Sequence, residues 1–264
     1  MRLWALIVTI TSVAMVVPSS AVAEARLNPV AALRRQLASG NGVTFSNVLV
    51  STSWDGEPLT FRRSGVHELA HGEVIASEIL DLKNGKDPER LIVFPDRYYE
   101  QSTGWRRFLQ EGKSWVIGKS QESLALTCGD LRLSNPATLK ALLASTKAKH
   151  PAGVYDGTRT TLHEGMITLG EVAKVDPDLL IGVDRPTGKY AGVRIDWKLW
   201  IGQDQLVRRC HVSYLLPGVP GIDDFDPQQL AEDVRLSRWG RATDIKPPAA
   251  DQVATPDELI NIPE

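Results

Sequence analysis

No charge of one sign dominates this chain: 30 Lys and Arg stand against 32 Asp and Glu, a net charge of −2. That balance removes the broad attraction on which binding to nucleic acid or an anionic lipid surface rests. Beyond the amino terminus, no apolar run reaches the length needed to cross a bilayer. Internal repeats, low-complexity blocks and Pro/Gly/Ser-rich linkers are also lacking, so a single domain is the simplest organisation. Cysteine is scarce, with only Cys128 and Cys210 in 264 residues.

What is present begins with Arg2, an apolar run from Leu3 to Val17, and Ala21-Val22-Ala23 before Glu24. A basic start, a short apolar core and an A-x-A site predict a secretory signal peptide over residues 1–23. An uncut anchor is the alternative. No cysteine lies near the cleavage region, so the chain is expected outside the cytoplasm without a lipid anchor. In that setting the two cysteines favour one disulfide, with two buried thiols as the other outcome. Closing so long a loop would stabilise the fold by up to roughly 4–5 kcal/mol on the chain-entropy account.

Two helix starts stand out. Asn28-Pro29 leads into Val30, Leu33 and Leu37 and stops at Gly40, and Asn135-Pro136 leads into Leu139, Leu142 and Leu143. Asn caps and Pro fits the first helical position. A weaker third candidate spans Pro227 to Ala231. Most of the rest predicts strand: Val43–Ser53, Leu59–Arg63, Val74–Leu82, Leu91–Phe94, Thr158–Leu169 and Leu206–Leu215. Asp55-Gly56, Asn84-Gly85 and Asp156-Gly157 are hairpin signals, since both residues of such a pair tolerate positive φ. The clearest strand runs from Arg194 to Ile201. There Ile195, Trp197, Leu199 and Ile201 alternate with Arg194, Asp196 and Lys198, while Trp200 breaks the polar face. The pattern predicts an α+β fold, one antiparallel sheet with short helices on one side.

Several stretches resemble the LppX/LprG-type proteins of the LolA-like superfamily. They are Asn28 to Leu33, Glu111 to Val116, Thr160 to Ile167 and Ile195 to Arg209. The closing residues Leu236-Ser237-Arg238-Trp239-Gly240 and Ile245 to Val253 carry the likeness further. The resemblance implies a curved antiparallel half-barrel over residues 24–253, wrapped over helices around an apolar cavity, followed by an extended tail over 254–264. Members of the family carry lipids, glycolipids or acylated proteins, so a non-enzymatic carrier of a lipid or lipid-modified ligand is expected here, as a monomer without metal or cofactor. Most such proteins carry a lipidated cysteine, which this chain lacks. Phe45, Phe61, Ile195, Trp197 and Leu199 lie on apolar strand faces and are the candidate cavity wall, although inward aromatics on strands also fill ordinary cores. A related reading is an extracytoplasmic sensor that binds an envelope protein.

One motif competes. His67-Glu68-Leu69-Ala70-His71 matches H-E-x-x-H, whose two His bind Zn²⁺ with Glu as general base when all three share a helix. Gly65 and Gly72 flank it, a poor setting for a helix, and a zinc peptidase remains the minor alternative. Gly112-Lys113-Ser114 and Gly118-Lys119-Ser120 lack the glycine that opens a phosphate-binding loop. A G-x-S-x-G nucleophile elbow is absent. Asp223, Asp224 and Asp226 fit no calcium-loop spacing. Arg208-Arg209 is a candidate for meeting a headgroup at a cavity mouth.

Overall fold

The computed structural model describes residues 28–52, 57–83, 88–120, 124–179, 185–217 and 227–260. The signal segment, the Asp55-Gly56 and Asn84-Gly85 turns, and the acidic run at 223–226 lie outside the described residues. In chain order the elements start with α1 (Pro29–Leu37), β1 (Asn41–Thr52), β2 (Pro58–Ala70), β3 (Glu73–Lys83), β4 (Glu89–Val93), β5 (Arg97–Gln101) and β6 (Trp115–Lys119). Next come β7 (Thr127–Cys128), β8 (Leu131–Arg132), α2 (Pro136–Ala144), β9 (Thr146–Tyr155) and β10 (Thr158–Thr168). The chain closes with α3 (Leu169–Val175), α4 (Gly188–Ala191), β11 (Arg194–Gly202), β12 (Val207–Leu216), β13 (Gln228–Arg241) and β14 (Val253–Ala254).

Twelve strands form one open sheet in the order β14-β6-β5-β4-β3-β2-β1-β13-β12-β11-β10-β9. Every pairing is antiparallel except that of β14 with β6. The architecture is therefore α+β, a large antiparallel sheet with a few short helices, and it does not close into a barrel. β7 and β8 form a separate small hairpin.

Both expected helix starts form as the sequence dictates. Asn28 Oδ1 accepts the Ala31 N–H at 2.9 Å and Asn135 Oδ1 accepts that of Ala137 at 2.9 Å, each with Pro at the first helical position. Gly40, at φ +67°, ends the first segment. Asp156-Gly157 makes the β9–β10 turn with both residues at positive φ. The candidate helix at Pro227 to Ala231 is instead the start of β13. That strand sits between β1 and β12, and ladder bonds on both edges override the local helical signal.

On β11 the alternation is as read: Ile195, Trp197, Leu199 and Ile201 are buried and the intervening polar residues exposed. This inner face packs against Leu33 and Leu37 of α1, Leu139 and Leu142 of α2, and Leu169 and Val172 of α3 in one cluster. A void of about 10 Å³ lies between helices and sheet beside Leu33, Leu139 and Leu236. Around it the side chains of the cluster are packed together.

A second cluster lies on the opposite, outer face. Ile92, Tyr99 and Trp115 are covered by Ile245 and Val253 from the carboxy-terminal segment. That segment is tied down through the Ser114 N–H to the Gln252 carbonyl and through Lys113 Nζ to the Val253 carbonyl at 2.7 Å. Gly112-Lys113-Ser114 thus anchors the chain end.

Three aromatic rings each face a glycine on the neighbouring strand: Phe45 with Gly65, Trp197 with Gly165 and Tyr98 with Gly118. A Cβ at Gly65 would lie 2.0 Å from the Glu78 carbonyl oxygen and 2.9 Å from the Phe45 ring. The ring occupies the space where the side chain is missing, so a larger residue there would displace it.

Candidate functional site

Free volume on the inner face lies beside the helices, over β1 to β4 and β13. It is a groove of about 180 Å³. Phe45, Ile79, Val93, Val234 and Leu236 supply its apolar floor. Residues 124–127, which run into the β7–β8 hairpin, form its roof. The register explains the floor: Phe45 pairs with Gly65 and Leu236, and Gly65 pairs with Ile79, so these residues share one face.

The roof is held down at several points. Cys128 and Cys210 form a disulfide that joins β7 to β12. The Gly129 N–H donates to the Glu232 carboxylate, which also accepts from Asn47 Nδ2. Burial pushes the Glu232 carboxyl above its usual range, against the pull of those two donors and of Arg63. The Tyr214 hydroxyl donates to Asp130 Oδ2 at 2.8 Å, and burial raises both the Asp130 carboxyl and the Tyr214 phenol.

Polar side chains in the groove are mostly paired. Arg63 Nε donates to Asp81 Oδ2 at 2.6 Å. His67 stacks on Phe45, with ring centroids 4.4 Å apart and planes 16° from parallel. Its Nδ1 lies 2.7 Å from Ser77 Oγ. Burial holds the imidazole neutral down to about pH 4.

This geometry separates the H-E-x-x-H residues. His67 points inward from β2. Glu68, one residue on, faces outward and accepts the Ile245 N–H at 2.8 Å. His71, at φ +57°, occupies the turn before Gly72 and is exposed. On a strand four residues span roughly 13 Å, too far for two ring nitrogens to share one ion. Among the described residues no three His, Cys, Asp or Glu side chains gather as a metal site.

Of the five candidate wall residues, Phe45 alone lines the groove. Phe61 lies farther along β2 on the same face, half-buried, opposite Leu49. Ile195, Trp197 and Leu199 belong to the packed core at 0–1% exposure, and the Trp197 indole N–H donates to Ser145 Oγ at 3.2 Å. The arginine pair is placed elsewhere. Arg208 is buried between Asp156 and Asp204. Arg209 sits on the outer face, clamped to Asp233, with its guanidinium over the Trp200 ring at 4.5 Å. That contact accounts for the tryptophan on an otherwise polar face.

Sequence reasoning missed Asn47, Arg63 and Ser77 as groove residues, and Glu232 as the carboxylate that ties down the roof. Their signal was strand parity, because β2 runs unbroken through Gly65 to Ala70 and so carries Arg63, Gly65 and His67 on one face. A larger depression of about 460 Å³ on the outer face is walled by Lys147, Glu164, Asp196, Lys198 and His211. Charged and broadly wet, it suits water better than an apolar ligand.

No family model matches the chain, and no curated protein matches it in sequence. Among solved structures it is similar to the lipoprotein LppX of Mycobacterium tuberculosis, at 15% identity and a TM-score of 0.42, over 83% of this chain and 98% of that one. It is also similar to a LolA superfamily protein of Nitrosomonas europaea, at 8% identity and a TM-score of 0.30, over 83% of this chain and 93% of that one.

Proposed function

We propose that this chain is an exported, non-enzymatic binding protein that holds the acyl part of a lipid or lipid-modified ligand in the inner-face groove. The observation that carries the reading is an apolar floor left open on a sheet whose other inner surface is packed. Phe45, Val234 and Leu236 are already buried, but Ile79 and Val93 are only partly covered, which is unfavourable unless something apolar lies over them. Each methylene moved there from water gains about 0.8 kcal/mol. At about 180 Å³ the groove is smaller than the 300–1,000 Å³ typical of small-molecule pockets. It therefore takes one stretch of a chain while the remainder extends beyond it.

The sequence resemblance to LppX/LprG-type carriers is consistent with this reading, as is the signal-like segment over residues 1–23. No helix among the described residues is long and apolar enough to cross a membrane. The protein acts as a monomer without cofactor, and H-E-x-x-H serves strand and turn rather than zinc. Native mass spectrometry of the purified protein, with titration of a fluorescent fatty acid, tests the proposal. Expected are co-purified lipid or saturable probe binding, and its loss in Ile79→Glu, which places a charge on the floor. An empty protein with no saturable binding would overturn the carrier, and reproducible capture of an envelope protein alone would favour the sensor.

A further inference from the structure

The buried histidine in the groove has one nitrogen engaged and one available. Ser77 is fully buried, and the only partner of its hydroxyl among the described residues is His67 Nδ1. A buried hydroxyl left without an acceptor is costly, so Ser77 donates and Nδ1 accepts. That fixes the proton on Nε2. No described residue makes a hydrogen bond with Nε2. The ring lines the groove, and Phe45 stacks on its face to hold its plane.

From this we infer that His67 is a fixed hydrogen-bond donor inside the groove that recognises an uncharged carbonyl oxygen, such as the ester or amide carbonyl of an acylated ligand. The inference rests on the acyl-binding reading and deepens it. A hydrocarbon floor alone retains any greasy molecule. One N–H at a defined depth selects a chain bearing an acceptor at that point, because leaving the donor unpaired on binding carries a penalty. The imidazole remains neutral across the physiological range, so an uncharged acceptor suits it better than a free carboxylate.

The test compares methyl octanoate with nonane, two probes of similar apolar length, by calorimetric titration of the wild type, His67→Phe and His67→Gln. The wild type is expected to prefer the ester by about three- to tenfold, the worth of one neutral hydrogen bond. His67→Phe keeps an aromatic ring on Phe45 and loses that preference, read as the ester-to-nonane affinity ratio within each variant, while His67→Gln, which retains an N–H, recovers part of it. Nitrogen-15 spectra of the imidazole are expected to show the proton on Nε2. Preference retained in His67→Phe, or a proton on Nδ1, would overturn the inference and leave the carrier intact. Failure of the wild type to bind either probe would overturn both.

Discussion

His67 weakens the fold as the solution turns acidic. In the unfolded chain the imidazole protonates near pH 6.5, whereas the folded protein resists until about pH 4. Its contribution to stability is therefore complete above pH 6.5 and falls away as the pH drops toward 4, by about 3 kcal/mol in all. Urea titrations across that window are expected to show the loss in the wild type and a shallower dependence in His67→Phe. A second residue-scale prediction concerns Gly65. In Gly65→Ala the new methyl meets the Glu78 carbonyl and the Phe45 ring, and thermal unfolding is expected to show about 1–3 kcal/mol of destabilisation. Gly104→Ala, whose Cβ meets nothing closer than 3.7 Å, is the control and should change little. At this scale the sequence was readable where a residue acts on near neighbours, as with the caps Asn28 and Asn135. It was least readable at His67, where a four-residue spacing has one meaning on a helix and another on a strand.

At the level of elements, α3 shows what local chemistry can set by itself. Thr168 accepts the Glu171 N–H, and Glu171 returns the bond to the Thr168 N–H at 2.8 Å. This capping box turns the chain from strand to helix at Leu169 and holds the Glu171 carboxyl below its usual range. The Thr-x-x-Glu pattern was visible in the sequence, but the β-rich run before it masked the change. Thr168→Ala is expected to cost about 1 kcal/mol, measurable by chemical denaturation. The β7–β8 hairpin depends instead on a distant partner. Replacing Cys128 and Cys210 together by Ala is expected to lower stability by about 2–5 kcal/mol and to raise hydrogen exchange at Gly129. Its role as a roof was illegible, since nothing in residues 124–132 says which strands they cross.

For the molecule as a whole, the carboxy-terminal segment is the outer cover of β4 to β6. Truncation after Thr243 would remove Ile245 and Val253 from the cluster of Ile92, Tyr99 and Trp115. Each buried side chain of that kind contributes roughly 1.5–3 kcal/mol. Exchange protection is expected to fall in β4–β6 while β10–β12 keep theirs, and uniform loss across the sheet would contradict this division. The antiparallel class and the one-sided helices followed from alternation and turn residues. Strand order did not, because a pairing between residues near 45 and near 236 leaves no local trace.

That pairing makes β13 a late keystone. Among the described residues, the sheet joins strands from residues 41–119 to those from 146–216 through residues 228–241, which bond to β1 on one edge and to β12 on the other. A polypeptide emerging amino terminus first thus holds two sets of strands with no ladder between them until almost nine-tenths of it has appeared. Its assembly cannot be completed piecemeal during synthesis, and it stays threadable until its last long strand arrives.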